Sequence, residues 1–130
     1  AIGNSPGTIT FNDDLTLESA SISNFELTEA AFDATTYDLA QGGVGTQQVA
    51  FDGTLNLFFD GGETYINDST VKIFDFENYA GGFDAVNFSG LGVGQSATFD
   101  PTTGIVTVVP EPAAALLGSL GLLALLRRRR

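Results

Sequence analysis

Residues 46–76 read TQQVAFDGTLNLFFDGGETYINDSTVKIFDF. The runs Thr46 to Phe51, Thr54 to Phe59 and Glu63 to Ile66 are separated by Asp52-Gly53 and by Asp60-Gly61-Gly62. Asn67-Asp68 then leads into Thr70 to Phe76. Asp-Gly is a preferred two-residue hairpin turn because both positions tolerate positive φ. Leu55, Leu57 and Phe59 alternate with Asn56 and Phe58, the period of a strand with one better-buried face. The stretch reads as an antiparallel meander.

Working outward, Ser96 to Phe99 and Ile105 to Val109 flank Asp100-Pro101-Thr102-Thr103-Gly104. Proline presets φ for a turn and glycine supplies its left-handed exit, so a second hairpin is expected. Ile9/Phe11 and Leu15/Leu17 alternate around Asn12-Asp13 and suggest a third. Ser23 to Ala34 fits either a broken helical stripe (Ile22, Phe25, Glu29, Phe32) or a strand (Phe25, Leu27). Phe-Asp occurs six times, ending at Asp33, Asp52, Asp60, Asp75, Asp84 and Asp100. Its irregular spacing argues against a solenoid repeat. Phenylalanine closing a buried strand end, with aspartate opening the turn, accounts for it. The expected fold is mainly β, a small antiparallel β-sandwich or β-roll, followed by a short C-terminal hydrophobic helix.

Charge is divided unevenly. Residues 1–107 carry fifteen Asp and Glu against Lys72, and residues 108–130 carry Glu111 against four Arg. So acidic a body repels nucleic-acid phosphates, which excludes nucleic acid as a partner. The chain has no Cys and no His. Thiolate chemistry, disulfides and histidine-based triads therefore cannot be assembled. Ala1 opens the chain without a basic-then-apolar leader, as expected either of a processed protein or of a piece of a longer one.

The tail differs from everything before it. Pro110-Glu111-Pro112 is followed by fourteen uncharged residues from Ala113 to Leu126, then by Arg127, Arg128, Arg129 and Arg130. The apolar run holds Leu116, Leu117, Leu120, Leu122, Leu123, Leu125 and Leu126. As a helix it would reach about 21 Å, against a hydrocarbon core of about 30 Å, so it is a marginal membrane segment. Four arginines beside it would hold the C-terminus on the cytoplasmic side as a stop-transfer cluster. A core helix and a permanent short tail anchor are the alternatives. Pro110 pushes Val109 toward extended backbone, which a processing enzyme can grip, and Pro112 can begin a helix.

In this order, and at the very end of the chain, these three parts resemble the PEP-CTERM protein-sorting domain. The resemblance covers residues 108–130 only. It implies recognition of the tail by exosortase, a membrane-embedded transpeptidase-like enzyme of bacteria that make exopolysaccharide. The body would be exported, held briefly at the inner membrane, cleaved near the motif and delivered to the cell surface or the extracellular matrix.

The resemblance implies no activity for residues 1–107. A non-catalytic surface or matrix protein, associated with exopolysaccharide and requiring no cofactor, is the first expectation. A carbohydrate- or calcium-binding module is the second: several loop carboxylates would suit calcium, although Asp60-Gly61-Gly62-Glu63 alone is a weak cue. A glycosidase using two of Asp60, Glu63, Asp75 and Glu77 is the third, disfavoured by the small body and by the absence of Trp.

Overall fold

The computed structural model describes residues 7–28, 37–59, 65–110 and 121–127. Among the described residues, twelve strands form four three-stranded sheets. They are β1 (Thr8–Phe11), β2 (Leu15–Thr16), β3 (Ile22–Leu27), β4 (Leu39–Gly42), β5 (Gln48–Phe51), β6 (Thr54–Phe59), β7 (Thr70–Lys72), β8 (Phe74–Asp75), β9 (Asn78–Gly81), β10 (Ala85–Ser89), β11 (Gln95–Asp100) and β12 (Ile105–Pro110). A helix, α1, covers residues 121–127. The mainly β class and the short C-terminal helix agree with the sequence reading.

The pairing is where the surprise lies. Three of the sheets, β1-β4-β8, β2-β5-β9 and β10-β6-β3, are parallel throughout. Each takes one strand from each of three successive passes of the chain. The body is therefore a short solenoid of three coils, β1-β2-β3, β4-β5-β6 and β8-β9-β10. Thr54 pairs with Ile22, thirty-two residues earlier, and with Ala85, thirty-one residues later. On the other faces the step is thirty residues from Gln48 to Asn78 and thirty-four from Ala40 to Phe74.

Two expected hairpins are thereby corrected. β5 and β6 flank Asp52-Gly53 but pair with β2, β9, β3 and β10, not with each other. β1 and β2 likewise pair with β4 and β5 across Asn12-Asp13. The reason is at Gly53. Its φ of 76° is the left-handed value glycine adopts freely. A Cβ there would stand 2.4 Å from Ser21 O, one coil below. Asp52-Gly53 is thus a solenoid corner pressed onto the preceding corner. The hairpin expected around residues 100–104 does form, pairing β11 with β12 antiparallel from Gln95↔Pro110 to Asp100↔Ile105. Within Ser23 to Ala34, residues 23–27 belong to strand β3. The runs at Asp60 to Thr64 and at Phe32-Asp33 lie outside the described residues.

Alternation fills the interior. Phe25 and Leu27 of β3, Val49 and Phe51 of β5, and Leu55, Leu57 and Phe59 of β6 are buried in one core. Each such side chain contributes roughly 1.5–3 kcal/mol on burial. The Phe-Asp dipeptides converge there: Phe51 lies 4.9 Å from Phe74, 5.0 Å from Phe83 and 5.4 Å from Phe99 between ring centroids. These separations suit offset and edge-to-face aromatic packing.

Register is recorded on the outside of the β10-β6-β3 sheet. Asn24, Asn56 and Asn87 stand in line across the three coils. Asn56 Nδ2 donates to Asn24 Oδ1 at 3.0 Å, and Asn87 Nδ2 donates to Asn56 Oδ1 at 3.1 Å. Asn56 takes part in both bonds, and each end residue takes part in one. At about 0.5–1.5 kcal/mol per hydrogen bond, Asn56→Ala is expected to cost about 1–3 kcal/mol. Asn24→Ala and Asn87→Ala should each cost about half as much. Urea denaturation of the three variants checks the order, and equal losses would show that the ladder does not set stability.

Candidate functional site

The tail leaves the body at the end of β12. Val106 and Val108 of that strand are fully buried, while Pro110 is exposed. Pro110 lies opposite Gln95 in the ladder and has no N–H to donate to it. Pro110, the first residue of the expected sorting motif, is the last described residue of this strand.

That strand is tied down through its partner. Gln95 is buried, and its Nε2 donates to Tyr65 O and, at 2.8 Å, to Asn67 Oδ1. Tyr65 is also buried, and its hydroxyl donates to Leu27 O at 2.7 Å. β12 also pairs with β7, and Gly104 O accepts the N–H of Ile73 at 3.0 Å. The strand carrying the tail is therefore connected back to the first coil by buried polar contacts.

Of the expected tail residues, Glu111, Pro112, Ala113, Leu116, Leu117 and Leu120 lie outside the described residues, as do Arg128, Arg129 and Arg130. Leu122, Leu123, Leu125 and Leu126 lie on α1 and are 59–65% exposed, and Arg127 ends the helix in the open. None of these leucines joins the core. Among the described residues no helix is long and apolar enough to cross a membrane. Seven helical residues reach only about 10 Å.

The acidic candidates are dispersed. Asp75 is exposed and pairs with Lys72 at 3.4 Å. It shares a shallow, polar cavity of about 180 Å³ with Glu77 and Gln47. Asn12, Asp13, Asp14 and Thr46 line a neighbouring polar hollow on the other side of Gln47. Asp60 and Glu63 lie outside the described residues, so the structure places two of the four proposed carboxylates. Among the described residues no three or more acidic side chains converge as metal ligands would.

Some structurally important polar groups escaped the sequence reading. Asp38 is fully buried, and its carboxylate accepts from Gly7 N–H at 2.7 Å and Glu26 N–H at 2.9 Å. It joins the entry of β1 to β3, bracing the first coil. No local pattern separates Asp38 from fourteen other body acids. The asparagine row did leave a signal, one residue type recurring at 24, 56 and 87.

Asp100 shapes the hairpin turn below the tail. Its Oδ1 accepts from Thr102 Oγ1 at 2.6 Å and from Thr102 N–H at 2.8 Å. The hydroxyl first, then the amide, hold its carboxyl below the ordinary value of 3.8. A carboxyl lowered in the folded state stabilises the fold above its unfolded pKa and loses that effect as pH falls through its folded pKa. The urea midpoint should therefore decline below about pH 4 by a component that Asp100→Asn removes. Parallel pH titrations of the two proteins decide this, and identical acid limbs would rule it out.

No protein-family model matches the chain, and no match was found among curated proteins or solved structures. Function is accordingly argued from the residues themselves.

The connection beneath the tail gives a second measurable outcome. Tyr65→Phe removes the donor to Leu27 O while keeping the ring, which packs edge-on against Phe59 at 5.0 Å. A buried carbonyl left without its partner costs about 1–3 kcal/mol. Denaturant unfolding of Tyr65→Phe should show that loss, and an unchanged midpoint would exclude the contact as a brace.

Proposed function

We propose that the chain is an exported, non-catalytic surface or extracellular-matrix protein whose C-terminal residues 108–130 are a sorting signal read and cut by exosortase. One observation carries this reading: Pro110-Glu111-Pro112, a short leucine-rich segment and a terminal arginine cluster occur together and in that order. Three roles follow. The proline-bounded motif is gripped, the leucines are held in the bilayer for a short time, and Arg127 to Arg130 stop transfer on the cytoplasmic side. The membrane is thus a transient partner, and exopolysaccharide is the proposed surroundings of the delivered body.

Two structural facts support the reading. Pro110 is exposed at the end of its strand, where an enzyme can approach extended backbone. The described leucines of α1 are exposed and contribute nothing to the core, so removing them would leave the body's packing intact. A non-catalytic body is favoured by the missing Cys and His. It is also favoured by a solenoid whose buried polar groups are engaged in bracing.

The test is the mass of the mature protein. Expressed in an exosortase-bearing host, the protein should be recovered without its arginine cluster, and Glu111→Ala should slow that loss. Intact-mass spectra still showing Arg130 in the wild-type protein would instead make the tail a lasting anchor.

A further inference from the structure

Stacked coils leave their outermost strands with backbone groups that no neighbouring coil satisfies. Natural sheets blunt such edges with a covering segment, a charge, a proline or a bulge. Two outer strands are covered in this way. Along β3, Asp38 accepts from Glu26 N–H and donates its own N–H to Glu26 O, both at 2.9 Å, and Tyr37 bridges Leu27. Beside β8, Gly104 O accepts from the N–H groups of Ile73 and Phe74. Among the described residues β10 pairs with β6 alone and has no such cover. Its sequence, Ala85-Val86-Asn87-Phe88-Ser89, holds no charge and no proline, and all five residues are exposed.

Alternation decides which groups β10 offers. Ala85 pairs with Thr54, and its N–H donates to Gly53 O at 3.4 Å. Ala85, Asn87 and Ser89 therefore turn their backbone toward β6, and Val86 and Phe88 turn theirs away from it. Neither Val86 nor Phe88 has a backbone partner on that side among the described residues. Their side chains lie in the rows of buried Leu55 and Leu57, yet they are 37% and 41% exposed. Apolar groups aimed at the core are thus uncovered at this edge.

Asn87 lies on the opposite face, where its Nδ2 donates to Asn56 Oδ1. Among the described residues its Oδ1 has no donor. The strand also reads alike from both ends: a small residue, an apolar one, asparagine, an apolar one, a small one. That symmetry identifies the occupant. An antiparallel second β10 centred on Asn87 opposes like with like, and it brings no charge to an edge that holds none.

We propose that two copies of this chain pair through β10, antiparallel, about a two-fold axis at Asn87. Val86 exchanges both backbone hydrogen bonds with the second copy's Phe88, and Phe88 does the same with its Val86, so every outward group is used. Asn87 faces the second copy's Asn87 in the close, non-hydrogen-bonded position. Each amide has a second N–H to give to the other's Oδ1. Ala85 meets Ser89, and Asp84 meets Gly90, so no like charges are opposed across the strands. On the inner face Val86 and Phe88 cover each other as an aromatic and β-branched pair, a favourable cross-strand combination. The contact joins identical surfaces, so it closes at two copies. Five residues make a small interface, and weak, concentration-dependent association is expected. The acidic bodies repel one another, and salt, which screens charge beyond about 10 Å at 0.1 M, should favour the dimer.

The absence of native cysteine makes cross-linking a clean test. In the full-length chain, Asn87→Cys places the two Cα atoms about 4.5 Å apart across the axis, within disulfide range. Ser89→Cys lies on the same face of the same strand but two residues off the axis. Its two copies stand about 14 Å apart, beyond the roughly 7 Å limit. Oxidised in 0.5 M NaCl, with detergent micelles in large excess over protein, Asn87→Cys should run as a dimer on non-reducing gels. Ser89→Cys should remain monomeric. Equal cross-linking of the two, or none in Asn87→Cys, overturns the proposal. If circular dichroism shows that Asn87→Cys disturbs folding, a charge exchange at the exposed pair Ala85 and Ser89 decides. In sedimentation velocity at the same salt, the association of the unmodified chain should be lost in Ala85→Asp/Ser89→Asp. It should return in Ala85→Lys/Ser89→Asp, because only that variant sets opposite charges across the two strands. An unmodified chain that stays monomeric as concentration rises, or association indifferent to the exchange, refutes the pairing.

Discussion

A hairpin fixes its own register, because its turn determines which residues face each other. A parallel coil has no such device. Strands that meet here are separated by thirty to thirty-four residues, and the connecting corner says nothing about alignment. Alignment must come from side chains that recognise their counterparts one coil away. Asn56, bonded to Asn24 on one side and Asn87 on the other, is the clearest such device. A slip by one residue would break both bonds and would turn Leu55, Leu57 and Phe59 out of the core. Core packing, the corner at Gly53 and the position of β12 all presuppose that alignment.

The same physics explains what the sequence disclosed and what it withheld. Strand existence was legible because alternation is local: Thr54 to Phe59 was read as a strand and is one. The pairing of that strand was not legible. Asp52-Gly53 has the chemistry of a hairpin turn, and the same two residues suit a corner, since both need a left-handed glycine. What separates the two is the approach of Ser21 O from the coil below, a contact no short window contains. The one antiparallel hairpin read correctly, at residues 100–104, is the one whose partners are adjacent in sequence. The unequal steps on the three faces also scattered the Phe-Asp dipeptides, hiding the repeat that recurrence of Asn24, Asn56 and Asn87 would have revealed.

Address and architecture are written differently in this chain. The signal proposed for the tail lies in residue order over twenty-three positions, so it could be read without a fold. The body's character lies in distant contacts, among them Asp38 bonded to the backbone of Gly7 and Glu26. Burying a carboxylate is costly unless backbone donors meet it, and here two do.

The attachment of the tail has a mechanical consequence. β12 is flanked by β11 on one edge and by β7 on the other, and it runs toward its exit at Pro110. A load applied beyond Pro110 pulls β12 along its own axis. Its hydrogen bonds then lie across the force and must yield together, rather than one at a time as when a strand is peeled from its end. Forced unfolding is governed by the height of that barrier rather than by equilibrium stability. On the proposed sorting reading, tension on the tail would thus be borne collectively by β12 and its two neighbouring strands.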